Sequence, residues 1–278
     1  MRLETIHTGN FRLDGGAMFG VVPKSIWQKI NPADENNMCN WAMRCLLVED
    51  GNRLVLIDNG LGDKQSEKFF SYYFLNGPHS LEKSLHQVGV DFKDITDVVL
   101  THLHFDHCGG SVNRSGDGYE TAFPNATYWS HEDHWDIAIH PNAREKASFL
   151  KENMLPIQEN GQLKFIGNDL KITDNITVFL ANGHTQAQMI PKINVDGQTL
   201  VFAADLIPSA GHVPSNYVMA YDMQPLVSME EHEAFLTECL EGDYTLFFEH
   251  DLNIECGKVK KTDRGIKFDY GFSLKEKF

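Results

Sequence analysis

The chain has 278 residues, 42% hydrophobic and 23% charged, enough for a sizeable core, and no apolar run is long enough to span a membrane. Its formal net charge of −15 repels phosphate backbones, whose binding depends on Lys and Arg, so no nucleic-acid partner is expected. The five cysteines, Cys39, Cys45, Cys108, Cys239 and Cys256, are scattered and form no CxxC pair, which predicts reduced thiols rather than a disulfide framework or a cysteine zinc knuckle.

In chain order, the opening "MRLETIHTGNFRLDGG" lacks the basic and apolar regions of a secretory signal, so a cytoplasmic location is expected. "GAMFGVVPKSIW" (16–27) carries Met18, Phe19, Val21, Val22, Ile26 and Trp27 but is broken by Gly20 and Pro23, which predicts an apolar loop over a cleft; an ordinary N-terminal strand is the alternative. "WAMRCLLVE" (41–49) and "RLVLID" (53–58) read as a hairpin around "DGN". A helix is predicted around 65–75, and another within 78–90 with Leu81, Leu85 and Val88 on one face and Gly89 as its stop. "ITDVVLTH" (95–102) reads as a buried strand leading into "THLHFDHCGG". "NATYWSH" (125–131) is strand-like and leads into a helix with Ser130 as N-cap. Strands follow at 176–182, at 192–205 as a hairpin around Asp196-Gly197, and at 244–250. The intervening helix, 228–241, has Ser228 and Glu231 in capping-box spacing and Phe235, Leu236, Cys239 and Leu240 facing inward. Hairpins interleaved with helices predict packed sheets covered by helices, in one domain over 1–278.

Four of the apolar runs, "LTHLH", "FLANGH", "FAAD" and "FFEH", end on a residue able to bind a metal. Within the first, the two-residue period of a strand puts His102 and His104 on one side for one cation. Asp106 and His107, just beyond, can turn toward a second. Gly109 and Gly110 permit the tight turn, with positive φ if needed.

"THLHFDHCGG" resembles the HxHxDH signature of the metallo-β-lactamase superfamily, which implies an α/β fold, an αββα sandwich with a dinuclear metal site at the edge of the two sheets. The family pattern continues with His184 in "ANGHT", Asp205 in "VFAAD" and His250 in "FFEH". Carried over, the resemblance puts His102, His104 and His184 on one metal, Asp106, His107 and His250 on the other, and Asp205 between them. Two divalent ions per chain are implied. Imidazole nitrogens with a few carboxylates suit zinc, although iron, manganese or cobalt fit the same donors. Asp58 in "LIDNGLG" resembles the family's acid that steadies the metal loop, and a simple turn residue is the equal alternative.

Asp205 stands where zinc β-lactamases carry a cysteine and His104 where the di-iron oxygen reductases carry a glutamate, so antibiotic hydrolysis and redox chemistry are disfavoured. The tail after His250 is short for the helical domain of a glyoxalase II, and no basic face marks a nuclease. Residues 16–27 and 204–225 are similar to the acyl-homoserine lactonases, the quorum-quenching group, and their organophosphate-hydrolysing relatives. That similarity implies a small lactone or ester opened by a metal-bridging hydroxide, with Asp106 orienting the hydroxide and moving its proton. A phosphotriesterase or aryl-esterase on the same metals, and a metal-binding protein without activity, are the rival readings. A homodimer is one option for the assembly. Pro208 stands where lactonases place a tyrosine three residues beyond the bridging aspartate, so another oxyanion donor is expected. His212 is preferred for that role, ahead of Tyr217 and Tyr221. His131 and His134 are expected on a solvated helix face, His79, His86, His140 and His232 at the surface, and Cys108 facing away from the metals.

Overall fold

In the computed structural model, which describes residues 1–278, strand β1 (Arg2–Asp14) pairs antiparallel with β2 (Met38–Asp50). Residues 16–27 form neither the predicted loop nor a strand. They fold into two single-turn helices, α1 (Gly15–Phe19), capped by the Asp14 carboxylate, and α2 (Lys24–Trp27). β2 turns through Gly51, at φ 65°, into β3 (Arg53–Ile57), the hairpin expected from "DGN". α3 (Glu67–Ser71) is shorter than the 65–75 predicted, and α4 (Leu81–Gln87) gives way to Gly89 at φ 78° as expected. β4 (Asp97–Val99) runs parallel to β3 and is followed by the one-turn α5 (Phe105–Cys108).

A small hairpin, β5 (Val112–Ser115) and β6 (Gly118–Thr121), precedes β7 (Thr127–Ser130), α6 (Glu132–Ile139), α7 (Lys151–Glu159) and β8 (Leu163–Phe165). Ser130 does not cap α6: its carbonyl still accepts Ile166 N across the sheet, and His131 caps instead, its Nδ1 accepting from Asp133 N at 3.2 Å. Next come β9 (Ile176–Ala181), β10 (Gln188–Val195), β11 (Gln198–Phe202), α8 (Pro225–Glu241), β12 (Thr245–Phe247), β13 (Cys256–Thr262) and β14 (Gly265–Phe272). The β10–β11 turn has Asp196 and Gly197 at φ 51° and 84°, as a two-residue hairpin requires. α8 starts three residues before the predicted Ser228 cap, because Pro225 sits in the first turn, where a missing N–H costs nothing. Glu231 is thereby released from the capping box and accepts from the backbone of Asn182 and Gly183.

Two six-stranded sheets result, ordered β1-β2-β3-β4-β7-β8 and β14-β13-β12-β11-β10-β9. β2 is buried on both faces. Leu46 and Val48 join Ile57, Met189, Ile193 and Phe202 between the sheets, whereas Cys45 and Leu47 meet Leu85 of α4, Trp135 of α6 and Met154 of α7 on the outside. α8 lays Phe235, Leu236 and Cys239 on the other sheet, which completes the αββα order. Each such buried side chain stabilises the fold by roughly 1.5–3 kcal/mol.

β3 and β4 are parallel in one sheet, and β11 and β12 are parallel in the other. Their carboxyl ends lead directly to Asp58, to the 101–107 loop, to Asp205 and to His250. The metal-capable residues of distant segments therefore meet at one edge of the sandwich.

Candidate metal centre

β4 ends at Val99, so His102 and His104 are not related by a strand's two-residue period as expected; they lie on a loop. Asp58 shapes that loop. Buried and at φ 55°, it accepts Thr101 N at 2.8 Å and Thr101 Oγ1 at 2.6 Å. His134 fixes the next residue but one, its Nε2 accepting from Leu103 N at 2.8 Å while Nδ1 bonds Gln186 O at 2.7 Å. The loop closes through Gly109, whose φ is −62°, not positive. Glycine is needed there because a Cβ would come within 2.1 Å of Leu61 O, and at Gly110 within 2.3 Å of Asn59 O.

Two groups of donors result. In the first, His104 Nδ1 lies 3.1 Å from His102 Nε2 and 3.2 Å from His184 Nε2, and Asp205 Oδ2 lies 3.1 Å from His184 Nε2 and 3.7 Å from His102 Nε2. In the second, His107 Nε2 and His250 Nε2 are 3.3 Å apart, with Asp106 Oδ2 at 3.8 and 3.9 Å from them. Asp205 reaches this group too, Oδ1 at 3.2 Å from His250 Nε2 and Oδ2 at 3.5 Å from His107 Nε2. Four donors about 2.0–2.1 Å from one zinc ion in a tetrahedron are separated by about 3.3 Å. The observed spacings cluster around that value. All seven residues are buried, and Asp205 Oδ1 makes no hydrogen bond. A proton can join one pair of facing nitrogens but not three at once, so the donor sets fit divalent cations.

The far side of each imidazole is also committed. His102 Nδ1 faces Thr101 Oγ1 at 3.1 Å, His104 Nε2 faces Glu145 Oε1 at 3.2 Å, and His184 Nδ1 faces Asp222 Oδ1 at 2.9 Å. His250 Nδ1 bonds Ala42 O at 2.8 Å, and His107 Nδ1 sits between Asp58 Oδ2 at 3.0 Å and Glu249 Oε2 at 3.1 Å. An oxygen at the outer nitrogen holds the proton there and turns the other lone pair inward. Glu145, Asp222 and Glu249 carry no signal in the sequence, because nothing in their local context distinguishes them from surface acids, and His134, expected on a solvated helix face, is buried against this loop.

Burial and the neighbouring imidazoles lower His102, and burial lowers His104, whereas carboxylates dominate around His184 and His250. Burial opposes charge on His184 and His250, yet Asp205 with Asp222 raises the first to about 10, and Asp205 with Glu249 raises the second to about 9. Burial, with Asp58 beside it, pushes Glu249 up to about 8. A cation entering here meets the same attraction that would otherwise hold protons.

The donor residues open onto a cavity of about 350 Å³ whose apolar wall includes Leu13, Met18, Phe105 and Met219. His212 is not in that wall, contrary to expectation. It is fully buried beneath Met18, with Nε2 2.9 Å from Met18 O and Nδ1 2.7 Å from Ser209 Oγ, and it stacks on Phe19 at 4.5 Å. Both nitrogens are used in holding the chain. Tyr217 packs edge-on to Phe19, whereas Tyr221 lines the cavity. Of residues 16–27 only Met18 reaches the cavity; Phe19 and Trp27 are core residues, and Val21 and Ile26 are exposed. His134 and His232 are buried instead of solvated, while His79, His86 and His140 are exposed as expected. Cys108 points to Leu103 O at 3.3 Å, away from the donors, and all five thiols are free and buried.

The model for the family described as the Metallo-beta-lactamase superfamily matches residues 44–241. An N-acyl homoserine lactonase of Bacillus cereus is 24% identical over 237 residues, covering 80% of this chain and 86% of the relative. The crystal structure of a probable metal-dependent hydrolase from Staphylococcus aureus superposes with a TM-score of 0.89 at 30% identity over 98% of this chain and 96% of its own. The dizinc quorum-quenching lactonase AidC, in complex with a product, shares the fold at TM-score 0.80 and 22% identity, over 98% of this chain and 95% of its own. No helix is long and apolar enough to cross a membrane.

Proposed function

The chain belongs to the metallo-β-lactamase superfamily and is a metal-dependent hydrolase, and from that premise we propose that residues 1–278 form one unit that opens small lactones or related esters. The observation that carries the reading is the convergence of seven buried donors, five of them imidazoles with their outer nitrogens already committed, at the floor of a largely apolar cavity. His102, His104 and His184 would hold one divalent cation and Asp106, His107 and His250 a second, with Asp205 shared; zinc suits these donors. Bound there, the cations would lower the pKa of water toward neutrality and polarise a carbonyl.

The chain's own groups supply the rest. Asp106, at the cavity floor, is positioned to accept a proton from water and pass it to a leaving alkoxide. Met18, Phe105 and Met219 exclude water and take up an acyl chain. Tyr221 lines the cavity and fits the role of phenolic donor to a developing oxyanion, replacing the hydroxyl that Pro208 lacks. The similarity to an N-acyl homoserine lactonase favours a lactone, and the same apparatus suits an aryl ester or phosphotriester.

Turnover of matched lactones, aryl esters and phosphotriesters, measured with and without a chelator, tests the reading. Chelator-sensitive turnover with the highest kcat/KM on lactones is expected. Full activity on any of these in metal-free protein would end it.

A further inference from the structure

Only one lysine or arginine lines the cavity, Arg144. The acids around it are already engaged at the donor sets: Asp106 and Asp205 belong to them, and Glu145 faces His104 from outside. Arg144 has no carboxylate partner; its guanidinium donates to Ala220 O across the cavity mouth and makes no other hydrogen bond. Arg144 is exposed where it lines the cavity, so its guanidinium meets solvent and any ligand entering there.

The backbone that carries it is fixed. Asn142 Oδ1 accepts from Arg144 N at 2.9 Å and from Glu145 N at 3.0 Å, an Asx turn that orders this segment. Asn142 Nδ2 also bonds Glu145 Oε2 at 3.1 Å, which ties the turn to the carboxylate on His104. One residue of the turn therefore points to the donor set and the next to the mouth. The bond to Ala220 O then holds the guanidinium at the boundary between two wall segments. An arginine has five N–H donors in a planar fork, and one bond leaves most of the fork for a ligand. A carboxylate matches that fork in two parallel bonds; a neutral acyl chain does not use it.

We propose that Arg144 is a specificity residue that reads a carboxylate on the part of the substrate remote from the scissile bond, so that the preferred substrates are lactones or esters carrying an acidic group. This rests on the hydrolase reading above. Ring opening or ester hydrolysis is unaltered: water's oxygen joins the acyl carbon, the acyl–oxygen bond breaks, and the leaving oxygen takes a proton.

The test compares two 4-nitrophenyl esters of equal length, the monoester of glutaric acid and the ester of pentanoic acid. The wild type should show a KM about 10-fold or more lower for the acidic ester, as a charge-assisted pair implies. Arg144→Gln should abolish that preference by raising KM on the acidic ester about 10-fold more than KM on the neutral ester, with metal content retained, and Arg144→Lys should restore part of it. Equal KM values in the wild type, or equal losses on both esters in Arg144→Gln together with a lower Tm, would overturn the proposal in favour of a rim clamp. Calorimetry on the metal-loaded enzyme separates this result from failure of the hydrolase reading. Glutarate should bind more tightly than pentanoate, which also has one carboxylate for the metals, and Arg144→Gln should erase the difference. That binding pattern without turnover of either ester would sink the hydrolase reading and leave the recognition standing; equal binding of the two acids would sink the recognition.

Discussion

His104 and His184, 80 residues apart in sequence, face each other with Nδ1 and Nε2 3.2 Å apart, and the opposite nitrogen of each ring is held by a carboxylate, Glu145 and Asp222 respectively. Two rings so oriented present lone pairs to a common point. Protein purified without chelator should therefore carry close to two divalent ions per chain by elemental analysis. Asp205→Ala, which removes the group reaching both donor sets, should lower that number together with turnover, and stripping the metal should lower Tm, because binding energy at such a site is folding energy. Unchanged stoichiometry in Asp205→Ala would remove Asp205 from its shared position.

Two of the three oxyanion candidates, Tyr221 and His212, separate cleanly. Tyr221→Phe should lower kcat on lactones by about two to three orders of magnitude with metal content and Tm preserved, the usual cost of losing one donor. His212→Ala should act through stability, since it leaves Ser209 and the carbonyl of Met18 without their partner. A Tyr221→Phe enzyme with full lactone turnover would leave the oxyanion to the metals alone and move the balance toward aryl esters or phosphotriesters.

Met18 and Phe19 are neighbours with different duties. Phe19, fully buried against Trp27 and His212, should cost about 3–5 kcal/mol on truncation to Ala and reduce all substrates alike. Met18→Ala enlarges the cavity and should shift preference toward longer or bulkier acyl chains. Chain-length profiles beside urea midpoints distinguish the two, and a selective profile change in Phe19→Ala at unchanged stability would contradict this assignment.

Acid should destabilise the fold through histidines that are buried neutral. Burial lowers His134 to about 3 and His212 to about 4. Above the unfolded value near 6.5 both are neutral in either state and the stability is complete. As pH falls below it the unfolded chain takes up protons that the folded chain refuses, and stability declines by roughly 1.4 kcal/mol per pH unit for each group until the folded values are reached. Urea midpoints between pH 7.5 and 4.5 should fall accordingly, and His134→Gln should flatten the slope by one group's share. Parallel slopes in the two proteins would mean that His134 is protonated in the fold.

Much of the architecture was legible from local pattern. The "DGN" and Asp196-Gly197 turns, the apolar runs of both sheets and the seven donor residues are each signalled by their own neighbours, and the HxHxDH spacing carried the family. What failed were inferences about direction and support. The two-residue period puts His102 and His104 on a strand that in fact ends at Val99, and the glycine at 109 answers close approach to Leu61, not the positive φ that a glycine pair permits. Ser130 and Ser228 have the composition of caps, but sheet pairing in one case and an earlier proline in the other moved the helix starts.

The sequence by itself determined which residues can bind metal and which segments are apolar enough to be buried, because both follow from side-chain chemistry and short-range periodicity. Only the tertiary structure decided that Glu145 backs His104, that Asp222 backs His184, that His212 braces Met18 beneath the cavity, and that Tyr221 and Arg144 line its wall. These pairings join segments tens to hundreds of residues apart. Their partners are chosen by how two sheets and their connecting loops pack at one edge, and no local pattern records that choice.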